Sequence, residues 1–290
     1  MDKLELNAYA KVNLGLDVLR RREDGYHELR MIMQTVDLYD TLTFEKKEEP
    51  GIIMTCNIEG LPCDERNLVY KSAKLMLEEY SLSGGIRIHL EKRIPMAAGM
   101  AGGSTDAAAV FNGMNELYQL NVSKERLCEL GVKIGADVPY CIVGGTVLSE
   151  GIGEVLTVLP NVPDCTVLIV KPDFDVSTKY VYENLHANSL TYHPDIDAMT
   201  EAVRAGDLAG VIKVMDNVLE TVTEAKYTEI TNIKKVMQEN GAMRAMMSGS
   251  GPTVFGLYET VEMAESAAEA IRSVNPAYQV FVSSFYHPVK

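Results

Sequence analysis

The sequence predicts an α+β protein. Strand-like stretches come grouped ahead of helix-like ones in the first part of the chain, which sets it apart from the regular strand–helix alternation of a doubly wound sheet. An almost unbroken alternation of apolar and polar residues opens the chain, and three- and four-residue amphipathic repeats recur from residue 67 onward. With 290 residues and 47% hydrophobic content, there is enough apolar surface for one large domain or two ordinary ones.

Residues 3–18 place Leu4, Leu6, Ala8, Ala10, Val12, Leu14, Leu16 and Val18 on one face. Glu5, Asn7, Tyr9, Lys11, Asn13 and Asp17 occupy the other. This is the period of a strand buried on one side, bent or broken partway. RREDGYHE reads as a turn, and MIMQTVDL, TLTFEK and GIIMTCNI as three further short strands. Residues 67–80 have helical spacing, with Leu68, Ser72, Leu75 and Leu77 expected to face inward. GIRIHLEKRIP is a strand on which Ile86, Ile88 and Leu90 alternate with Arg87 and His89.

A helix follows through Ala107, Val110, Phe111, Met114, Leu117 and Tyr118, and Ser123 can cap another in KERLCELGVKI. GGTVLSEGIGEVLTVL has the form of a hairpin. The prolines of PNVPDC mark a domain boundary, which divides the chain into 1–160 and 161–290. Beyond it come the strand TVLIV, helical patterns near 177–186, 195–204, 207–222, 228–239 and 261–272, and a last strand, YQVFVSSF.

The net charge of −14 argues against a nucleic-acid partner, which needs a basic surface. No apolar run reaches membrane-spanning length, and the opening MDKLELNAYAK lacks a signal-peptide core. Five scattered cysteines without a CxxC pair read as reduced thiols in a cytoplasmic protein. The dispersed histidines show no zinc spacing.

The stretch PMAAGMAGGSTDAAA, residues 95–109, demands a function. A glycine cluster carries an entropic cost. Strand, glycines, hydroxyls and then helix is the layout of an anion site at a helix N-terminus. There is no Lys before Ser104, so the stretch is not a Walker A loop, and its glycines do not form a G-x-G-x-x-G fingerprint. Position 106 is Asp, which excludes a nucleophile elbow. Two readings of this stretch remain on its own residues: a phosphate cradle, or a tight turn capping a close-packed helix.

The stretch resembles the second motif of the GHMP kinases, in outline a proline, a Gly-Leu pair and then a Ser-[ST] pair, with Met100 where Leu is usual. NAYAKVNLGLDV resembles the family's first motif, and MSGSGPTVFG at 247–256 its third. The three occur in the family's order and span nearly the whole chain. REDGYHEL and GADVPYCIVGGT are similar to the branch of the family that phosphorylates a methylerythritol bearing cytidine diphosphate, in non-mevalonate isoprenoid synthesis.

The resemblance implies an S5-like nucleotide-binding domain, a ferredoxin-like second domain, and ATP and Mg²⁺ as cofactors. It assigns Pro95, Gly99, Gly102, Gly103, Ser104 and Thr105 to the phosphate loop, with Ser104 or Thr105 orienting Mg²⁺. Lys11 would polarise the acceptor hydroxyl, and Asp137 would be its paired carboxylate and general base. Asn13 stands on the face of Lys11, among the substrate-binding residues. Tyr26 and His27 would bind the cytosine; Tyr182 is either its second stacking ring or a packed helix residue. Gly249, Ser250 and Gly251 form either a glycine loop at the site, a hairpin turn, or both. Another alcohol kinase of the family, acting on homoserine or mevalonate, and a nucleotide-sensing relative without chemistry are the competing readings.

Overall fold

The two strands that open the chain are long: β1 (Lys3–Arg21) and β2 (His27–Lys47). They are followed by β3 (Gly51–Cys56), α1 (Leu68–Glu79), β4 (Gly85–Glu91), α2 (Gly102–Leu117), α3 (Lys124–Val132) and α4 (Val138–Val143). The hairpin β5 (Thr146–Gly151) and β6 (Val155–Val158) leads to β7 (Thr166–Lys171). Then come α5 (Thr178–Asn184), α6 (Ile196–Ala205), α7 (Leu208–Val214), β8 (Asp216–Asn217), α8 (Glu220–Lys226) and α9 (Thr228–Glu239). The chain finishes with β9 (Arg244–Met247), β10 (Val254–Tyr258), α10 (Val261–Val274) and β11 (Gln279–Ser284). The structure, a computed structural model, describes residues 2–288.

The chain forms two compact units, neither continuous in sequence. The first comprises residues 1–10, 38–96 and 101–143; the second comprises 11–37, 97–100 and 144–290. β1 and β2 contribute residues to both. The proline-rich stretch 160–165 lies within the second unit, where it connects β6 to β7.

In the first unit β4 pairs antiparallel with residues 41–47 of β2 and parallel with β3. α1 packs on α2. The fully buried residues of α1 are Val69, Ser72, Ala73 and Met76; of the expected inward residues Ser72 is among them, and Leu68, Leu75 and Leu77 pack partly buried against the same core. Ala73 of α1 and Ala107 and Ala108 of α2 are buried in one apolar cluster. Gly113 allows a close approach, since a Cβ there would sit 2.7 Å from the ring of Phe44.

Two strands expected at 31–38 and 41–46 are the single strand β2. Asp40 is fully buried and its carboxylate is satisfied, so it does not end the strand. The polar face of β1 also departs from the one-sided burial expected, because Lys11, Asn13 and Asp17 are all buried. Gly15, between them, meets Ile196 and Met199 of α6.

In the second unit β5 pairs with β2 and β6, and β8 with Gly15 and Leu16 of β1. Strands β7, β9, β10 and β11 make an antiparallel sheet in the order β11-β7-β10-β9. Numbered by their succession, these strands lie 4-1-3-2. α9 and α10 pack on the sheet, which completes the βαββαβ ferredoxin-like arrangement, with α5–α8 inserted after β7.

The helix expected over 207–222 is interrupted. Met215 is extended, Asp216 and Asn217 form β8, and α8 restarts at Glu220. The break is tertiary in origin: Asn217 is buried, and its amide donates to the carbonyls of Met247 and Gly249. Among the described residues no helix is long and apolar enough to cross a membrane.

Candidate active site

The glycine stretch lies between β4 and α2, and its backbone is wound unusually. Ala97, Gly99 and Ala101 all have positive φ, at 50°, 69° and 58°. Left-handed alanines are costly and persist only where the surroundings enforce them, a recurrent feature of functional loops. Pro95 is buried ahead of them, and Met100 is buried between Gly99 and Ala101. Gly102, Gly103, Ser104 and Thr105 form the first turn of α2, which has no side-chain cap. Its leading amides are therefore available to an anion, at the positive end of a 16-residue helix.

The two hydroxyls have different environments. Thr105 Oγ1 is buried and donates to the carbonyl of Tyr9 at 2.7 Å, tying α2 to β1. Ser104, half-buried in the same turn, could hold a phosphate or Mg²⁺. Its Oγ lies 3.9 Å from where a side chain on Gly135 would begin, so the turn carrying Asp137 runs beside it. Asp137 itself directly precedes α4, a helix the sequence did not announce, with Pro139 in its first turn.

In the second unit, Lys11 Nζ donates to Asn13 Oδ1 at 2.7 Å and to the carbonyl of Gly99 at 3.2 Å. The Lys11 amide donates to the carbonyl of Met100. Asn13 in turn points its amide at Met31 Sδ. The lysine and asparagine read from one strand face are thus joined, and the glycine stretch supplies the acceptor that orients the ammonium.

The third motif is a glycine turn between β9 and β10. Ser248 Oγ donates to the Gly99 carbonyl at 3.0 Å. Gly249 and Gly251 have φ of 57° and 84°, and Ser250 Oγ is 2.9 Å from Thr178 Oγ1. Asn217 grips the turn through two carbonyls, and Glu220 Oε1 accepts the Met247 amide. Sequence reasoning took up Gly249, Ser250 and Gly251 but missed Ser248, Asn217 and Glu220. Ser248 stands inside the quoted motif and was within reach; Asn217 sits inside what looked like a continuous helix.

The turn between β1 and β2 presents Tyr26 and His27. Asp24 Oδ1 accepts the Tyr26 amide, Gly25 has φ 88°, and the Arg22 amide donates to the Tyr26 carbonyl. Tyr26 is 59% exposed. The His27 ring lies 4.9 Å from that of Tyr182, at 34°. Tyr182 is on α5, where Val181 takes the buried position. Burial and the nearby charge of Arg21 lower the His27 pKa, so the imidazole is neutral at neutral pH.

Among the described residues no cluster of three or more His, Cys, Asp or Glu is arranged to hold a metal. Mg²⁺ characteristically keeps several waters and takes one or two protein ligands beside phosphate. Ser104 fits that limited role.

The family description GHMP kinases N terminal domain matches residues 67–145, and GHMP kinases C terminal matches residues 199–277. The chain belongs to the GHMP kinase family. It is 51% identical over 286 residues to a 4-diphosphocytidyl-2-C-methyl-D-erythritol kinase of Lachnoclostridium phytofermentans, covering 99% of this chain and 98% of that protein. A Clostridium perfringens protein of the same name is 49% identical over 280 residues, 97% of each. A crystal structure of 4-(cytidine 5'-diphospho)-2C-methyl-D-erythritol kinase is similar with a TM-score of 0.84 and 34% identity, covering 98% of this chain and 100% of that one. Homoserine kinase from Cytophaga hutchinsonii shares the fold alone, with a TM-score of 0.78 at 21% identity and coverage of 98% and 95%.

Proposed function

We propose that this GHMP kinase transfers the γ-phosphoryl group of ATP to the 2-hydroxyl of 4-diphosphocytidyl-2-C-methyl-D-erythritol, a step of non-mevalonate isoprenoid synthesis in the cytoplasm. The observation that carries the choice of alcohol is the aromatic group Tyr26, His27 and Tyr182, with two rings 4.9 Å apart. An isolated alcohol such as homoserine has no use for it, whereas a pyrimidine needs a stacking ring and a partner for its edge. The full-length likeness to proteins of that name supports the same reading. Five scattered cysteines without a CxxC pair accord with a reducing compartment.

Phosphoryl transfer requires positioning and charge compensation more than covalent participation by the protein. The amides at the start of α2 hold the donor phosphates, and the helix dipole favours their charge. Mg²⁺ bound with the nucleotide would neutralise phosphate charge, and Ser104 is the residue that would reach it. Lys11, its ammonium oriented by Asn13 and Gly99, faces the acceptor hydroxyl in this reading. Asp137 removes that hydroxyl's proton as the new P–O bond forms and ADP departs. Residues 1–160 supply the nucleotide loop, and 161–290 supply Tyr182 and the third glycine turn.

A substrate panel tests this reading: ATP and Mg²⁺ with the cytidyl-linked alcohol, free methylerythritol phosphate, homoserine and mevalonate. The expected result is a kcat/KM for the cytidyl compound far above the rest. Equal or better turnover of a simple alcohol would refute the choice of substrate.

A further inference from the structure

Beneath the first turn of α2 lies a buried ion cluster to which the motif resemblance assigns no role. Lys92 Nζ donates to Asp40 Oδ2 at 2.5 Å and to Asp106 Oδ2 at 2.9 Å. All three residues are at most 9% exposed. Asp40 Oδ1 also accepts the amides of Arg93 and Ile94. The backbone of Lys92 is held from outside by Asn57, whose Oδ1 accepts the Lys92 amide and whose Nδ2 donates to the Lys92 carbonyl. Lys92 is therefore fixed at both ends.

What it is fixed against is the phosphate loop. A Cβ on Gly102 would lie 3.3 Å from Lys92 Nζ and 3.2 Å from Ile94 Cγ2. The absence of a side chain at Gly102 brings the ammonium directly under the turn. Asp106, one turn along the same helix, receives it. Asp106 Oδ1 is buried with no hydrogen-bond partner among the described residues. Burying such a cluster costs more than its attraction returns unless the geometry is excellent, and apolar replacements of like volume are often at least as stable. Stability alone is a weak reason for it. A first turn whose amides must meet phosphate oxygens, where misplacement by about 1 Å is expensive, is a stronger one.

We propose that Lys92 and Asp106 are positioning residues for nucleotide binding: anchored by Asp40 and Asn57, they set the orientation of the first turn of α2. The inference rests on the nucleotide reading above. It gives Gly102 a role distinct from that of Gly103, with Gly102 seating the ammonium from below and Gly103 facing outward, where its Cβ position meets only Leu68, at 3.5 Å.

The test is a titration of folded protein with a non-hydrolysable ATP analogue and, separately, with CDP. For Asp106→Ala, affinity for the ATP analogue is expected to fall about tenfold, equivalent to ~1.4 kcal/mol, with CDP affinity unchanged. Asp106→Asn keeps an oxygen for Lys92 and should remain within about threefold of wild type. If Asp106→Ala does not fold, Gly102→Ala decides, since its methyl displaces the ammonium or the turn; the same selective loss is expected. A lowered Tm with unchanged affinity for the ATP analogue, or equal losses for both ligands, overturns the positioning role. Wild-type protein that binds no ATP analogue overturns the nucleotide reading itself, and this inference with it.

Discussion

Lys11 Nζ lies 3.2 Å from the carbonyl oxygen of Gly99, 88 residues away in sequence. Ser248, from the far end of the chain, donates to the same oxygen. One backbone carbonyl thus gathers the first, second and third motifs. The position tolerates nothing larger than hydrogen: a Cβ on Gly99 would sit against the Ser248 carbonyl at 2.3 Å, and its φ is +69°.

Gly99→Ala is therefore expected to strain the fold itself. The left-handed conformation alone costs an alanine about 1–2 kcal/mol, and the clash adds to it. Thermal denaturation should show a Tm lowered by several degrees. An unchanged Tm would mean the loop does not dock as described.

Gly103→Val should act the other way. The Cβ position there meets only Leu68, at 3.5 Å, so the fold persists. The branched side chain would instead occupy the space where phosphate meets the amides. Circular dichroism should match wild type while titration with an ATP analogue shows binding lost. Undiminished affinity would return the stretch to a close-packed turn.

Asp137→Asn keeps the size of the side chain and removes the base. Turnover should fall at least about a hundredfold, the scale of general-base catalysis, with ATP affinity hardly altered. Near-wild-type turnover with chemistry rate-limiting would remove Asp137 from the mechanism.

His27→Ala should raise KM for the cytidyl substrate and leave that for ATP nearly constant. An unpaired base edge in a desolvated pocket costs roughly 1–3 kcal/mol, hence a loss in kcat/KM of about tenfold to a hundredfold. An equal loss with an alcohol lacking cytidine would point to the fold instead.

The pH dependence follows from the same residue. Burial and Arg21 hold the His27 pKa below its ordinary 6.5, so the neutral ring survives to more acid pH than a free histidine. KM for the cytidyl substrate should stay flat as pH falls to 6.5 and rise only below it. His27→Gln should abolish that rise. A rise beginning well above 6.5 would contradict the neutral-ring assignment.

Local pattern carried much of this protein. The alternation in β1 and the cap at Ser123 are properties of neighbouring residues, and both appear in the structure. What escaped was tertiary. The two strands expected at 31–38 and 41–46 run on as one through Asp40, whose carboxylate Lys92 and two amides satisfy. Asn217 reads as helix until its grip on the third motif forces an extended pair. Thr105 and Ser104 are equivalent in a motif and differ once the threonine hydroxyl donates a hydrogen bond to the Tyr9 carbonyl. The polar face of β1 looked like surface because alternation reports polarity and not exposure; Lys11, Asn13 and Asp17 are buried.

The most direct test of the central claim is the position of the transferred phosphate. Wild-type protein is incubated with ATP, Mg²⁺ and 4-diphosphocytidyl-2-C-methyl-D-erythritol, and the product is examined by phosphorus and carbon NMR. The account predicts one new phosphomonoester, coupled to the carbon bearing the 2-hydroxyl, together with ADP. No transfer to this compound, alongside efficient phosphorylation of homoserine or mevalonate under the same conditions, would contradict it.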